Sequence, residues 1–226
     1  MRMSNLESSK INAIIFDLDG TLIDSAAAIL EGLEYAIKKA RLVPQLPLTS
    51  SLIGPPLKDT FRKLIGKEDG VDLDDLISSF KCFYDQEGFK KSRPYPGVEK
   101  ILRDLKDLEL TLYLATNKRF VPTQRIVNYF GWDHFFDEIY TIDKFANFPF
   151  EDKASMLQAL LKEKSIEPNN AIYIGDREED LWASIKNNLT AILVTWGYGD
   201  FKRMNSGNII YLSSPEELIS IIRGKK

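Results

Sequence analysis

Cysteine is nearly missing from this chain: Cys82 is the single one in 226 residues. That excludes an intramolecular disulfide and fits a reducing compartment. Histidine is as scarce. His134 stands alone in an aromatic-rich stretch, "GWDHFFDEIY", and reads as structural, so histidine-based transfer chemistry has no support. No apolar run approaches the roughly 20 residues that span a bilayer. Neither sign of charge dominates: 30 Lys and Arg stand against 33 Asp and Glu, a net charge of −3. Bulk attraction to nucleic acid or to an anionic membrane is therefore not indicated. Trp and Tyr are scattered without the basic interleaving of a single-strand binder. The start, "MRMSNLESSK", is polar, with no hydrophobic signal segment. Residues 1–9 read as a loose tail, and a cytoplasmic location is expected. What is present is 44% hydrophobic and 28% charged, an ordinary globular balance. The length suits one large domain, or a main domain and a smaller one.

Short apolar runs alternate with helical patterns. "INAIIF" (11–16), "LTLYLA" (110–115), "AIYIG" (171–175) and "AILVT" (191–195) read as buried parallel strands, and "NIIYL" (208–212) as a shorter one. Helical patterns cover 98–108, 122–129 with a proline in the first turn, 153–164, 179–187 and 215–223. The alternation predicts an α/β fold: a Rossmann-like parallel sheet with helices on both faces. One gap breaks it. Between the first two strands lies far more chain than a single crossover needs, and a structureless loop of that length is implausible. The gap is helical in pattern over 26–41, 57–65 and 73–87, with turn signals "VPQLP" and "GPP" between, and ends in the proline-rich "RPYPGV" (93–98). The expectation is an inserted α-helical domain over 25–95, with the core made of 10–24 and 96–226.

Three of the strand candidates end in unusual polar residues: Asp17-Leu18-Asp19-Gly20-Thr21, then Thr116-Asn117, then Gly175-Asp176 with Asp180 four residues on. Ligands of open α/β sheets sit outside the carboxyl ends of the strands, so these residues should converge. Asp17 and Asp19, two apart in extended chain, can point the same way. With Asp176 they put three carboxylates at one sheet edge, where they must hold protons or a hard cation. Oxygen ligands suit Mg2+, which keeps waters and a substrate phosphate oxygen in its shell. Lys153 and Thr116 can complete a phosphate site, as point charge and hydroxyl donor. Gly20 allows a tight turn and can offer its N–H to an anion.

In order and spacing, "DLDGT" (17–21), "LATN" (114–117), Lys153 and "GDREED" (175–180) resemble the four motifs of the haloacid dehalogenase superfamily, in its magnesium-dependent phosphatase branch. The helical insertion resembles the family's cap. "IGPPL" (53–57) and "WGYG" (196–199) are similar to the phosphoglycolate phosphatase-like subgroup. The resemblance implies hydrolysis of a small-metabolite phosphomonoester, phosphoglycolate-like or a nucleoside monophosphate, through an aspartyl-phosphate. It makes Asp17 the nucleophile and Asp19 the general acid and base. Asp17, the Asp19 carbonyl and Asp176 would ligate Mg2+, with Asp180 supporting the metal's waters. Thr116, Asn117, Lys153 and backbone N–H groups near Leu18 and Gly20 would hold the phosphoryl oxygens. The same scaffold also serves a phosphosugar mutase of the β-phosphoglucomutase type, or a regulator that binds phosphate without turnover.

Two positions depart from the family pattern. Arg177 follows Asp176 where the branch commonly has threonine or serine, which puts a cation beside the metal carboxylates or else points it elsewhere. The lysine motif lacks its usual proline-containing continuation and runs "DKASMLQAL", which leaves Lys144 as a competitor to Lys153. In the insertion, Gly54-Pro55-Pro56 reads either as a loop that meets substrate or as a plain helix-start turn. Lys58 and Arg62 share one helix face and read as solvated. Cys82 is expected to be a small buried apolar residue.

Overall fold

The computed structural model describes residues 11–66, 70–145, 149–200 and 209–223. The expected tail over 1–9 and the first residue of the "NIIYL" run lie outside them. Six strands form one parallel sheet in the order β5-β4-β1-β6-β7-β8. They are β1 (Ala13–Phe16), β4 (Thr111–Thr116), β5 (Glu138–Thr141), β6 (Ala171–Gly175), β7 (Thr190–Val194) and β8 (Ile210–Leu212). From β1 the chain builds outward to β4 and β5, then returns across β1 to build β6, β7 and β8 on the other side. The reversal lies between β1 and β6, the crevice where such sheets bind ligands.

Alternation decides which helices each face receives. Ile14 and Phe16 of β1 point into one apolar cluster with Leu102, Leu105, Ile126, Val127 and Leu218. These come from α4 (Val98–Asp107), α5 (Phe120–Tyr129) and α8 (Glu216–Arg223). Ala13 and Ile15 point into a second cluster with Leu157, Leu160 and Ala183, from α6 (Lys153–Glu163) and α7 (Glu178–Lys186). All four β1 residues are buried, as an unbroken apolar run flanked by parallel neighbours requires.

After β1 the chain makes a tight turn. Two-residue strands β2 (Ile23–Asp24) and β3 (Arg93–Pro94) then pair antiparallel. Between them run α1 (Ala26–Lys39), α2 (Leu57–Ile65) and α3 (Leu73–Gln86). Leu33, Phe61, Leu64, Phe80 and Tyr84 of this insertion belong to the same apolar cluster as Phe16. The short ribbon means that exit and return run side by side.

Three expectations change. Strand β5 lies outside the expected strands, because "EIYT" begins with a charged residue, is only partly buried at Glu138 and Ile139, and follows the aromatic stretch around His134. Helix α5 begins at Phe120, so Pro122 is its third residue, where its missing N–H is still an unpaired position. Cys82 is exposed, not buried. Leu76, Phe80 and Tyr84, four apart, take the buried stripe of α3, and Cys82 falls on the opposite side.

Candidate active site

β1 ends by delivering Asp17, β4 by delivering Thr116, and β6 by delivering Asp176 just after Gly175. The register between β1 and both neighbours, Phe16 opposite Leu114 and Ile174, sets Asp17 within one residue step of Thr116 and Asp176. Asp17, Thr116, Lys153, Asp176 and Asp180 are all buried. A cavity of about 430 Å³ opens from this edge toward the insertion, within the usual range for small-ligand clefts. Asp17, Asp19, Thr116, Asn117 and Lys153 line its floor, and Gly54, Pro55 and Pro56 line it from the insertion.

One carboxylate oxygen from each of Asp17, Asp176 and Asp180 lies within 4.8 Å of the others. The three are not equivalent. Asp180 is saturated: Oδ1 accepts from Lys153 Nζ at 2.5 Å and from the Tyr173 hydroxyl at 2.9 Å. Its Oδ2 accepts the backbone N–H groups of Asp176 and Arg177. As the third residue of α7 it also caps that helix, whose N-cap is Arg177. In contrast, Asp17 Oδ1 and Asp176 Oδ1 are buried with no hydrogen-bond partner. Buried carboxylate oxygens without hydrogen bonds are costly, and two of them in one acidic cluster fit a hard cation such as Mg2+. Asp176 Oδ2 is held at 2.7 Å by the Tyr198 backbone N–H, which fixes the direction of the free oxygen.

Burial pushes the Asp17 carboxyl up to about 7, against the opposing pull of Lys153. Burial pushes Asp176 up to about 8, reinforced by the charges of Asp180 and Asp17. Burial opposes the Lys153 charge, yet Asp17 and Asp180 outweigh it and raise its pKa. Lys153 Nζ lies 3.3 Å from Asp17 Oδ1, an ion pair without hydrogen-bond geometry. These two anions also explain a lysine at the start of α6, where the helix dipole disfavours it. Lys144, its competitor, pairs with Glu138 at 2.8 Å and lies over the Tyr140 ring.

Two expectations need correction. The carboxylate of Asp19 does not join the acidic cluster, because Lys118 Nζ grips both its oxygens, at 2.9 and 2.7 Å. Asp180 takes the third place instead. Nor is the Gly20 N–H free for an anion, since it donates to the Ile23 carbonyl and closes the turn into β2. Gly20 is required for space: at φ +84 it abuts the Asp176 carboxylate and the Tyr198 ring, which leave no room for a Cβ. Leu18 contributes only backbone to the site, for its side chain is in the core. The Asn117 amide donates to Glu179, and Thr116 Oγ1 accepts from the Lys118 N–H at 3.2 Å, keeping its own proton available. Lys58 and Arg62 pair with Asp74 and Asp59 on an exposed face, as expected. His134 is exposed beside Phe135, outside the site.

Lys118 is the residue that sequence reasoning missed. It follows the "LATN" stretch directly, but a lysine after a strand end ordinarily reads as solvated. Here its side chain is 7% exposed and lies 4.8 Å from the Tyr84 ring centroid. Burial works against its charge, and Asp19 more than compensates, raising its pKa. Tyr198, in the "WGYG" stretch, was likewise given no role. Its hydroxyl receives the Ser25 N–H at 2.7 Å and donates to Asp24, so it ties the acidic cluster to the start of the insertion.

A doubly wound sheet with a buried acid–lysine cluster at its switch point defines a class, an α/β enzyme that handles an anionic substrate. Comparison with known proteins narrows it: residues 14–194 match the family model "Haloacid dehalogenase-like hydrolase", and the chain belongs to that family. It is 28% identical over 200 residues to "Tyrosine-protein kinase PtkA" of Mycobacterium tuberculosis, covering 87% of this chain and 67% of that protein. It is 30% identical over 191 residues to a phosphoglycolate phosphatase of Agrobacterium fabrum, covering 82% and 81%. The crystal structure of a predicted phosphatase from Clostridium acetobutylicum superposes with a TM-score of 0.82 at 31% identity, covering 96% of this chain and all of that one. Among the described residues no helix is long and apolar enough to cross a membrane.

Proposed function

We propose that the chain is a Mg2+-dependent phosphomonoesterase of the cytoplasm that acts on a small phosphorylated metabolite through a phosphoryl group carried on Asp17. The observation that carries this is the pair of buried oxygens on Asp17 and Asp176 that accept no hydrogen bond, with Asp17, Thr116 and Lys153 together at the floor of one cavity. Kinship with a named phosphoglycolate phosphatase supports the hydrolytic reading.

Asp17 and Asp176 would hold the metal, with the Asp19 carbonyl, and the ion when bound would offset the charge of carboxylate and phosphoryl oxygens. Asp17 supplies the attacking oxygen. Lys153 and the Thr116 hydroxyl hold phosphoryl oxygens in place, the positioning on which phosphoryl transfer depends. As the P–O bond to the leaving group breaks, Asp19 gives that oxygen its proton. In the second half Asp19 takes a proton from the water that attacks phosphorus, and Asp17 leaves as a carboxylate. Lys118 keeps Asp19 oriented between these events, and an arriving phosphate dianion competes for the same ammonium. Asp180 positions Lys153 and does not ligate. Residues 25–95 act as the cap, closing the cavity against water and choosing the leaving group.

The test is a panel of phosphorylated metabolites, phosphoglycolate and nucleoside monophosphates included, assayed with Mg2+ for released phosphate. Release from at least one is expected, with loss in Asp17→Asn while circular dichroism and melting stay native-like. Interconversion of sugar phosphates without net release, or full activity in Asp17→Asn, would overturn the reading.

A further inference from the structure

The cavity has two unlike halves. Toward the insertion its wall is apolar, built largely of Ile29, Leu33, Leu52, Ile53, Ile77 and Phe80. Its cations are mostly spoken for: Lys118 pairs with Asp19, Arg119 with Asp85, and Lys153 with Asp17 and Asp180. Two lining cations have no ion-pair partner among the described residues, Arg177 from the core and Lys81 from α3. Arg177 is the better placed. It directly follows Asp176, its side chain is half-buried, and its Nη2 is buried without a hydrogen-bond partner.

The surroundings of that guanidinium leave it built in and under-used. Its Cζ lies 5.8 Å from the Tyr198 ring centroid. On another side it packs against Gly54: a methyl group there would sit 3.0 Å from Nε and 3.1 Å from Cζ. A guanidinium carries five donors in a fixed fork that matches an oxyanion. Within an apolar-walled cleft, spare donors of that kind cost free energy unless a ligand meets them.

We propose that Arg177 is a specificity-determining residue. Its guanidinium receives a second oxyanion of the substrate, a carboxylate or another phosphoryl group, at the seam with Gly54-Pro55-Pro56. This rests on the phosphomonoesterase reading above and narrows it to substrates with two anionic ends.

The experiment compares phenyl phosphate, which has no second anion, with 2-phosphoglycolate and with pyrophosphate. The readout is the selectivity ratio, kcat/KM for each probe with two anionic ends over that for phenyl phosphate. Arg177→Gln is expected to lower the ratio about 10- to 100-fold for at least one probe, the range of a charge-assisted hydrogen bond, chiefly through KM. Arg177→Lys should recover part of it. A drop confined to phosphoglycolate assigns a carboxylate, and one confined to pyrophosphate assigns a phosphoryl group. An unchanged ratio overturns the proposal. So does an equal loss on all three substrates, which would mean that Arg177 acts through Asp176, or a collapse produced by Lys81→Gln instead. Calorimetric binding of phosphoglycolate and phenyl phosphate to Asp17→Asn, with and without Arg177→Gln, reads the same selectivity without turnover. If no phosphate is released yet binding selectivity depends on Arg177, the hydrolase reading fails and the assignment of Arg177 stands.

Discussion

Asp17 and Asp176 are held in the fold with pKa values near 7 and 8, against an ordinary 3.8. The sign of the consequence follows from proton binding. Between about pH 4 and those values the folded, metal-free chain binds protons that the unfolded chain has released. Its stability therefore falls as pH rises through that window. A cation held by the two carboxylates replaces the protons and removes the penalty. In chelator-treated protein, melting should be higher at pH 5.5 than at pH 8, and added Mg2+ should raise it more at pH 8. Asp176→Asn should flatten both trends, and thermal scans at the two pH values check this. The Lys118–Asp19 pair makes a second residue-scale prediction. Lys118→Met should slow turnover most for esters with strongly basic leaving oxygens, which depend on the Asp19 proton, and least for aryl esters with good leaving groups. A series of esters of graded leaving-group basicity measures it, and a uniform loss would count against the orienting role.

Helix α3 and the start of α5 are joined by Arg119, whose Nη1 and Nη2 meet the Asp85 carboxylate at 3.0 and 2.6 Å. Arg125 also reaches the Asp85 carbonyl. The two side chains are about one-fifth exposed, so solvent screens the pair only partly. Asp85→Asn should cost about 1–2 kcal/mol in urea unfolding and raise KM more than it lowers kcat, since it loosens the insertion and not the acidic cluster. The loop before α2 is the other connection. Gly54 stands at φ +107 against Arg177, a conformation that other residues adopt only under strain. Gly54→Ala should destabilise by at least about 1 kcal/mol and lower kcat/KM, as denaturation and steady-state assays would show.

At the scale of the whole molecule, one apolar cluster runs from the sheet through the insertion, so the two parts share a core. Trp132, Trp182 and Trp196 all lie outside the insertion, while α1 to α3 contribute heavily to the helical signal. A shared core predicts one transition, with tryptophan fluorescence and far-ultraviolet dichroism coinciding in urea; two separated midpoints would contradict it. The alternation of buried runs and helical patterns by itself determined the parallel sheet, the helical insertion between β1 and β4, and the polar strand ends at "DLDGT", "LATN" and "GDREED". These are local properties, because burial and periodicity are written in neighbouring residues. Strand β5 escaped because Glu138 and Ile139 are only partly buried and its four residues form no unbroken apolar run. Which acids share a cluster was decided only in three dimensions. Asp19 turned to Lys118, Asp180 spent its oxygens on Lys153, Tyr173 and two backbone N–H groups, and Arg177 reached Gly54 across more than a hundred residues. Such choices depend on which counter-charges and donors the fold brings within about 3 Å of each oxygen, and no spacing along the chain encodes that distance.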